Sequence, residues 1–474
     1  MTGRSDIPSP APRRVAIVGA GPSGLFAAQA LLGQDDVPIE VDIFDRLPSP
    51  FGLVRYGVAP DHESIKSVAE ALARVFDSPG LRFRGLVTFG EDVTREELNA
   101  AYDAVIYAAG ASEDLRMNVP GESLPGSRSA REFVAWYSGH PDATPQHLAG
   151  VDSAVAVGVG NVAVDVARIL VKDAADLAVT DMPQPVLDEL GRHTVGDVWV
   201  VGRRGPHHAS FTTKELRELC SLEGVHVTVS AGAFDDIDDA DLDRRTRANV
   251  AVLREAASRE VADVRARLHF LFWRRPVALE GTDAVTGLRL ERTRLENGRV
   301  VGTGEHSVLD AQLVLRAIGY RGVPLPGLPF DLERGIVPND DGRVTTEDGH
   351  VLPREYVVGW IKRGPVGVIG TNKKDAVQTV ALLLADLTAD PSGATTTQER
   401  ALLDLDAHLA ARGLHPTTFE DWRRIEAAEA TLGEGQGRAR TKIEAWSELL
   451  DLVALDRPGG PATPADERDR PART

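Results

Sequence analysis

The chain has 474 residues, 42% hydrophobic and 26% charged, which suits a soluble globular protein of two or three domains. Its formal charge of −18 argues against general affinity for nucleic acid or an anionic membrane surface. No apolar run reaches the ~18 residues of a membrane span, and the opening "MTGRSDIPSPAPRR" lacks the apolar centre of a signal peptide, so a cytoplasmic protein is expected.

In chain order, residues 1–13 are rich in Pro and charge and read as a disordered tail. "VAIVGAGPSGLFAAQALL" (15–32) then predicts a short strand, a Gly-rich turn and a helix. A second strand, "VDIF", ends at Asp45, and "AYDAVIYAAGAS" (101–112) closes the unit with an apolar strand running into glycine. The plan repeats in "SAVAVGVGNVAVDVARIL" (153–170), with a second strand "DVWVVGRR" (197–204) and a closing strand in "AQLVLRAIGYRG" (311–322). Between these, "DDIDDADLD" (235–243) reads as a solvated acidic loop or helix end, and 242–268 begins as an arginine-rich helix. "GWIKRGPVGVIGTNKKDA" (359–376) follows, with a helix expected from about Lys373–Asp375. Residues 456–474 read as a second disordered tail. The fold class expected is α/β, with two Rossmann-like dinucleotide-binding domains. The second, 113–322, is inserted into the first, 14–112 and 323–455.

The single cysteine, Cys220, forms neither an intrachain disulfide nor a CxxC pair, and it is too little for an iron–sulfur cage. Redox chemistry in this chain therefore calls for an organic cofactor, and Cys220 reads as a small core residue. The first turn has Gly19, Gly21 and Gly24 in G-x-G-x-x-G spacing. Gly19 allows the tight turn, Gly21 lets backbone approach a pyrophosphate, and Gly24 lets helix pack on strand. Asp45 then stands where a carboxylate accepts from ribose hydroxyls. The second turn has Gly158, Gly160 and Ala163, and its second strand ends in Arg203 and Arg204. A guanidinium pair there suits a 2′-phosphate. FAD is expected at the first turn and NADPH at the second. The stretch from 359 offers an aromatic wall, Trp360, and a Gly-lined approach at Gly367, Val368 and Ile369, where flavin and nicotinamide would meet.

"PFGLVRYGVAPDHESIKSV" (50–68), "GVGNVAVDVARIL", "VGRRGPHHASFTTKELREL" (201–219) and "GWIKRGPVGVIGTNKKDA" together resemble the adrenodoxin-reductase-type NADPH–ferredoxin reductases, over roughly residues 14–450. The resemblance implies an FAD enzyme that takes hydride from NADPH and passes single electrons to a ferredoxin. It implies FAD contacts at Ser23, Asp45, Leu53, Val87, Trp360 and Gly367 through Ile369. It implies NADPH contacts at Gly160, Asn161, Val162, Arg203, Arg204, Glu215 and Gly367, with Arg116 as a further candidate. The family pattern has Glu at Asp45 and a polar residue at Val159, so this chain departs from it twice. His62 and Asp165 match family positions near the flavin and are candidates for proton handling or for holding the ring. No metal motif is present.

The lack of a second cysteine excludes a dithiol relay of the thioredoxin-reductase kind. An NADPH-dependent flavin monooxygenase or oxidase is the alternative enzyme, and a nucleotide-sensing protein without turnover is the alternative of another class. A ferredoxin is typically acidic, so against a charge of −18 docking needs a local basic face. Arg244, Arg245 and Arg247 open the richest arginine stretch, which continues through Arg254, Arg259, Arg265 and Arg267 to Arg274 and Arg275.

Overall fold

The computed structural model describes residues 11–367, 369–389 and 403–454, without the side chains of 63–67. Almost all of the two expected tails, and Val368, lie outside the described residues.

Two parallel sheets organise the chain. The first runs Leu81–Arg84, Ile39–Phe44, Arg13–Val18, Ala104–Tyr107 and Val351–Val357, all parallel, and then turns antiparallel through Arg343–Thr345 and Asn339–Asp340. The second runs Val225–Val229, Ala266–Leu271, Asp197–Val201, Ser153–Val157, Leu313–Arg316 and Ser127–Ser129, parallel throughout. Parallel strands are covered on both faces, which is why they appear in sequence as continuous apolar runs. Val15, Ile17, Val155 and Val157 are all buried.

The two sheets share one plan. Arg13–Val18 lies between the strand that leads to Asp45 and the closing strand Ala104–Tyr107; Ser153–Val157 lies between the strand that leads to Arg203 and the closing strand Leu313–Arg316. Register aligns Val18 with Phe44 and Tyr107, and Val157 with Val201 and Arg316. Each Gly-rich turn thus leaves its sheet level with the ends of both neighbours, at the carboxyl edge where open α/β sheets bind ligands.

An antiparallel sheet that the sequence analysis did not anticipate, Arg274–Glu280, Gly287–Glu296 and Arg299–Asp310, covers one face of the second parallel sheet. Leu279, Leu288 and Leu290 pack there with Val155, Val157, Val201 and Val314. Glu113–Asp114 pairs with Tyr320–Arg321, so the outgoing and returning connections between the parallel sheets run side by side.

Further contacts tie the two halves. Lys442 Nζ donates to the carbonyls of Arg55 at 2.6 Å and Ser138 at 3.1 Å, and Arg438 Nη1 donates to that of Met182 at 2.8 Å. Within the first half, Arg55 and Glu429 form a buried ion pair. Among the described residues no helix is long and apolar enough to cross a membrane.

Candidate active site

At the first turn the glycines divide by what a Cβ would meet. At Gly19 (φ +109°) it would lie 2.6 Å from the Ala108 carbonyl oxygen, and at Gly24 2.0 Å from that of Gly19. These two glycines let the chain pack on itself. At Gly21 it would meet nothing within 4 Å. Gly21 caps the helix Pro22–Leu32 with no side-chain acceptor, so open space lies in front of an uncapped helix start. The loop at Phe51–Leu53 lies across this turn: Phe51 N–H donates to Ala20 O at 2.8 Å, and Leu53 is exposed at the head of the short helix Leu53–Tyr56.

Asp45 is half-buried, and its carboxylate accepts the backbone N–H groups of Ala20 at 2.8 Å and Leu47 at 3.0 Å. Burial raises its pKa, while those amides favour the charged form. A carboxylate has about four acceptor sites, so capacity remains for hydroxyls. Val87 is buried, and its N–H donates to the Asp45 carbonyl.

The second turn repeats the division. A Cβ at Gly158 would lie 2.2 Å from the Ala317 carbonyl oxygen, whereas at Gly160 it would meet only Ser210 Oγ at 3.4 Å. Gly160 caps the helix Asn161–Val171 without a side-chain acceptor, and Ala163 is fully buried. Asn161 Oδ1 accepts the N–H of Thr212 at 2.8 Å, and Val159 O accepts that of Ser210 at 2.9 Å. These bonds fasten residues 205–213 to the turn and bring Glu215 to it, in the helix Thr213–Cys220. Val162 follows Asn161 in the first turn of its helix. Arg203 is exposed and Arg204 half-buried.

The stretch from 359 closes on the first turn. A Cβ at Gly359 would lie 2.2 Å from Ser23 Oγ. Gly359 N–H donates to Asp375 Oδ2 at 2.6 Å, and Lys362 Nζ lies 2.9 Å from Asp375 Oδ1. Trp360 stacks on Tyr320, with ring centroids 6.1 Å apart. The helix begins at Ile369, not near Lys373–Asp375. Asp375 is therefore a buried residue inside the helix that holds the Gly359 turn, and the free N–H groups belong four residues earlier.

His62 is buried, with Nε2 3.0 Å from Asp165 Oδ1 and 2.8 Å from Arg168 Nη2. A guanidinium only donates and a carboxylate only accepts, so Nε2 has one partner for each tautomer. Arg168 also grips Asp61, Nε to Oδ2 at 2.9 Å and Nη2 to Oδ1 at 3.0 Å. The pair His62–Asp165 thus spans the two halves of the chain. Arg116 is exposed.

Residues 13–193 match the family model described as pyridine nucleotide-disulphide oxidoreductase. The chain is 45% identical over 457 residues to NADPH-ferredoxin reductase FprA of Mycobacterium tuberculosis, covering 93% of this chain and 99% of that protein. It is 39% identical to the mitochondrial NADPH:adrenodoxin oxidoreductase of Homo sapiens, covering 93% and 92%. The solved structure of M. tuberculosis FprA in complex with NADPH superposes with a TM-score of 0.85 at 44% identity, covering 94% of this chain and all of that one. The chain belongs to the adrenodoxin-reductase-type NADPH–ferredoxin reductases. The resemblance read from its motifs and the fold class are both borne out.

The residues present fit the two cofactors of the family. Besides the open faces of Gly21 and Gly160, three side-chain atoms at the turns and the junction are buried with no hydrogen-bond partner among the described residues: Arg204 Nε, Glu215 Oε2 and Trp360 Nε1. Sequence reasoning missed Gly359, Lys362, Asp375, Asp61 and Arg168. The first three stand within or beside the motif already singled out, where a strand running into glycine was the available signal. Asp61 and Arg168 gave none. Of the arginine run, only Arg244–Ser258 is helical. Arg265 donates to the Val171 carbonyl and Arg275 pairs with Glu291, so these two serve the fold. Cys220 is buried, and burial pushes its thiol up to about 12.

Proposed function

We propose that the chain is an FAD-dependent ferredoxin–NADP(+) reductase, taking hydride from NADPH onto FAD and passing single electrons to a ferredoxin-type iron–sulfur protein. The observation that carries this is the pairing of two open Gly turns on equivalent sheets, one followed by a carboxylate and the other by two guanidinium groups. Bound FAD supplies the conversion between two-electron and one-electron transfer. The protein positions, excludes water and tunes charge.

On this reading Gly21, Ser23, Asp45, Leu53 and Val87 hold FAD, and Gly160, Asn161, Val162, Arg203, Arg204 and Glu215 hold NADPH. Trp360 walls the junction, and Gly367 and Ile369 leave it open to planar rings. Val368 belongs to the same proposal but lies outside the described residues. His62 and Asp165 hold a proton, or the ring and its waters, at the join. Arg244, Arg245 and Arg247 receive the carrier; all three are exposed at the start of their helix. The enzyme acts in the cytoplasm, and its domain borders lie at 112/113 and 322/323, where the connections pair. Anaerobic mixing with NADPH should bleach a yellow protein, and added ferredoxin should restore the colour. A protein without flavin, or one whose NADPH-reduced flavin consumes oxygen in hydroxylating an organic substrate and does not reduce ferredoxin, would overturn the reading.

A further inference from the structure

The loop after Arg204 carries two histidines that the proposed function leaves unused. His207 and His208 lie ring against ring, with centroids 4.1 Å apart, and the Trp273 ring is 6.2 and 6.3 Å from them. The cluster is built into the arginine pair. Trp273 N–H donates to the Arg204 carbonyl at 3.3 Å, and Thr293 Oγ1 donates to the Arg203 carbonyl at 2.9 Å. Gly205 sits so close to Trp273 and His207 that a Cβ there would lie 2.7 Å from one ring and 2.9 Å from the other. Three nitrogen atoms in this short span, Arg204 Nε, His207 Nδ1 and His208 Nδ1, are buried with no hydrogen-bond partner among the described residues.

The surrounding charges are few. Asp236 is the acidic group acting on His207, and Arg204 and His207 act on His208. The helix Arg244–Ser258 packs against the loop with Thr246, Asn249, Val250, Leu253 and Ala256 as its buried residues, while Arg254 pairs with Asp239 and Arg247 donates to the Asp239 and Leu242 carbonyls. Beyond Trp273, Arg274 donates to the Trp273 carbonyl. Burial lowers both histidine pKa values, and that of His208 is lowered further by His207, when protonated, and by Arg204. Both imidazoles are therefore neutral at neutral pH until an anion arrives. A phosphate monoester beside them favours the protonated form.

We propose that His207 and His208 extend the Arg203–Arg204 pair into a proton-linked 2′-phosphate site, so that preference for NADPH over NADH strengthens as pH falls from 8 toward 6.5. This rests on the reading of the arginine pair as the 2′-phosphate contact. The proton comes from solvent, and binding takes it up. The sign follows: a histidine whose pKa is raised by the bound phosphate adds affinity below that raised value and none above it.

The test titrates the FAD-loaded protein with 2′,5′-ADP and with 5′-AMP from pH 8 to 6.5, in buffers of different ionisation enthalpy. Wild type should take up protons with 2′,5′-ADP beyond those accounted for by the ligand's own phosphates, whose second pKa is about 6, and with 5′-AMP should take up none beyond those of its single phosphate. Its affinity for 2′,5′-ADP should rise relative to H207Q/H208Q by roughly fivefold over that range, a charge-assisted bond discounted for partial exposure. Equal proton uptake by the two proteins, or affinities that stay in constant ratio, would overturn the inference. R203A/R204A separates the two levels. If it loses the preference for 2′,5′-ADP while the histidine effect is absent, the arginine reading stands and the inference falls; if it keeps the preference, the arginine reading itself falls. Proton uptake by wild type is read without any variant, so poor folding of H207Q/H208Q does not remove the test.

Discussion

Arg168 holds Asp61 by two parallel contacts, at 2.9 and 3.0 Å, with neither side chain more than 5% exposed. Asp61 belongs to the loop before helix Glu63–Ala73 in the first half, and Arg168 to the helix that follows the second Gly turn. Removing the guanidinium leaves a buried carboxylate whose remaining cation among the described residues is Lys172, 3.1 Å away. Arg168→Met should cost about 3 kcal/mol, the low end for a broken buried pair, read by urea denaturation. Burial works to raise the Asp61 pKa, but Arg168 and Lys172 overcome it and hold the group at about 2. The folded value lies below the unfolded one of about 4. The stabilisation is thus complete above about pH 4 and is lost as pH falls from there toward 2. The gap between wild type and Arg168→Met should close over that window, and a gap independent of pH would refute the assignment.

Arg203 and Arg204 carry the choice of nicotinamide cofactor. Charge-assisted hydrogen bonds contribute about 1.5–3 kcal/mol each, but Arg203 is exposed and solvent screens it. Replacing both by Ala should raise the KM for NADPH by about 10²-fold, the lower part of the range two such bonds allow, and leave that for NADH nearly unchanged. Equal losses with both nucleotides would count against the site.

What sequence could disclose was what local chemistry governs. The Gly turns, the buried parallel strands and the contrast of Asp45 with Arg203–Arg204 each lie within one strand–turn–helix unit, and all were legible. The helix start at Ile369 was not: Gly367 and Gly370 argue locally for loop, and the packing of this helix on Pro22–Leu32 overrides them. Nor was the antiparallel sheet, whose outer strand Arg299–Asp310 is largely exposed and lacks a clean alternation of buried and exposed residues. The grip of Arg168 on Asp61 joins residues 107 apart, and no local pattern announces it.

Gly367 adopts φ +93°, and a Cβ there would lie 2.8 to 3.0 Å from Thr371 side-chain atoms. A branched residue therefore strains the loop as well as obstructing the junction, at about 1–3 kcal/mol. Gly367→Val should keep FAD, melt a few degrees lower and lose fast flavin reduction by NADPH in stopped flow. Normal reduction would mean that the stretch is not where the rings meet.

Carrier docking is tested by reversing Arg244, Arg245 and Arg247 to Glu together. Arg247 donates to the carbonyls of Asp239 and Leu242, and Asp243 caps the helix, so a thermal melt must show the fold intact. Ferredoxin reduction should slow by an order of magnitude or more at low salt and lose its salt dependence, while reduction of a small artificial acceptor by NADPH stays the same. Unchanged ferredoxin kinetics would place docking elsewhere.

The strand Val351–Val357 pairs beside Ala104–Tyr107, and every strand of the second parallel sheet lies between them in sequence. During synthesis the chain therefore emerges in an order opposite to that in which its halves close. The later-starting half has all its strands once residue 316 has left the ribosome, while the first-made strands still wait for a partner. Ala104–Tyr107 must stay soluble with one edge unpaired through that interval, an exposure that invites wrong pairing. Nascent chains arrested at a length that has just let residue 316 clear the ribosome, with 351–357 still inside it, should accordingly protect 127–316 from protease and leave 13–107 open to it, whereas chains released beyond 389 should protect both.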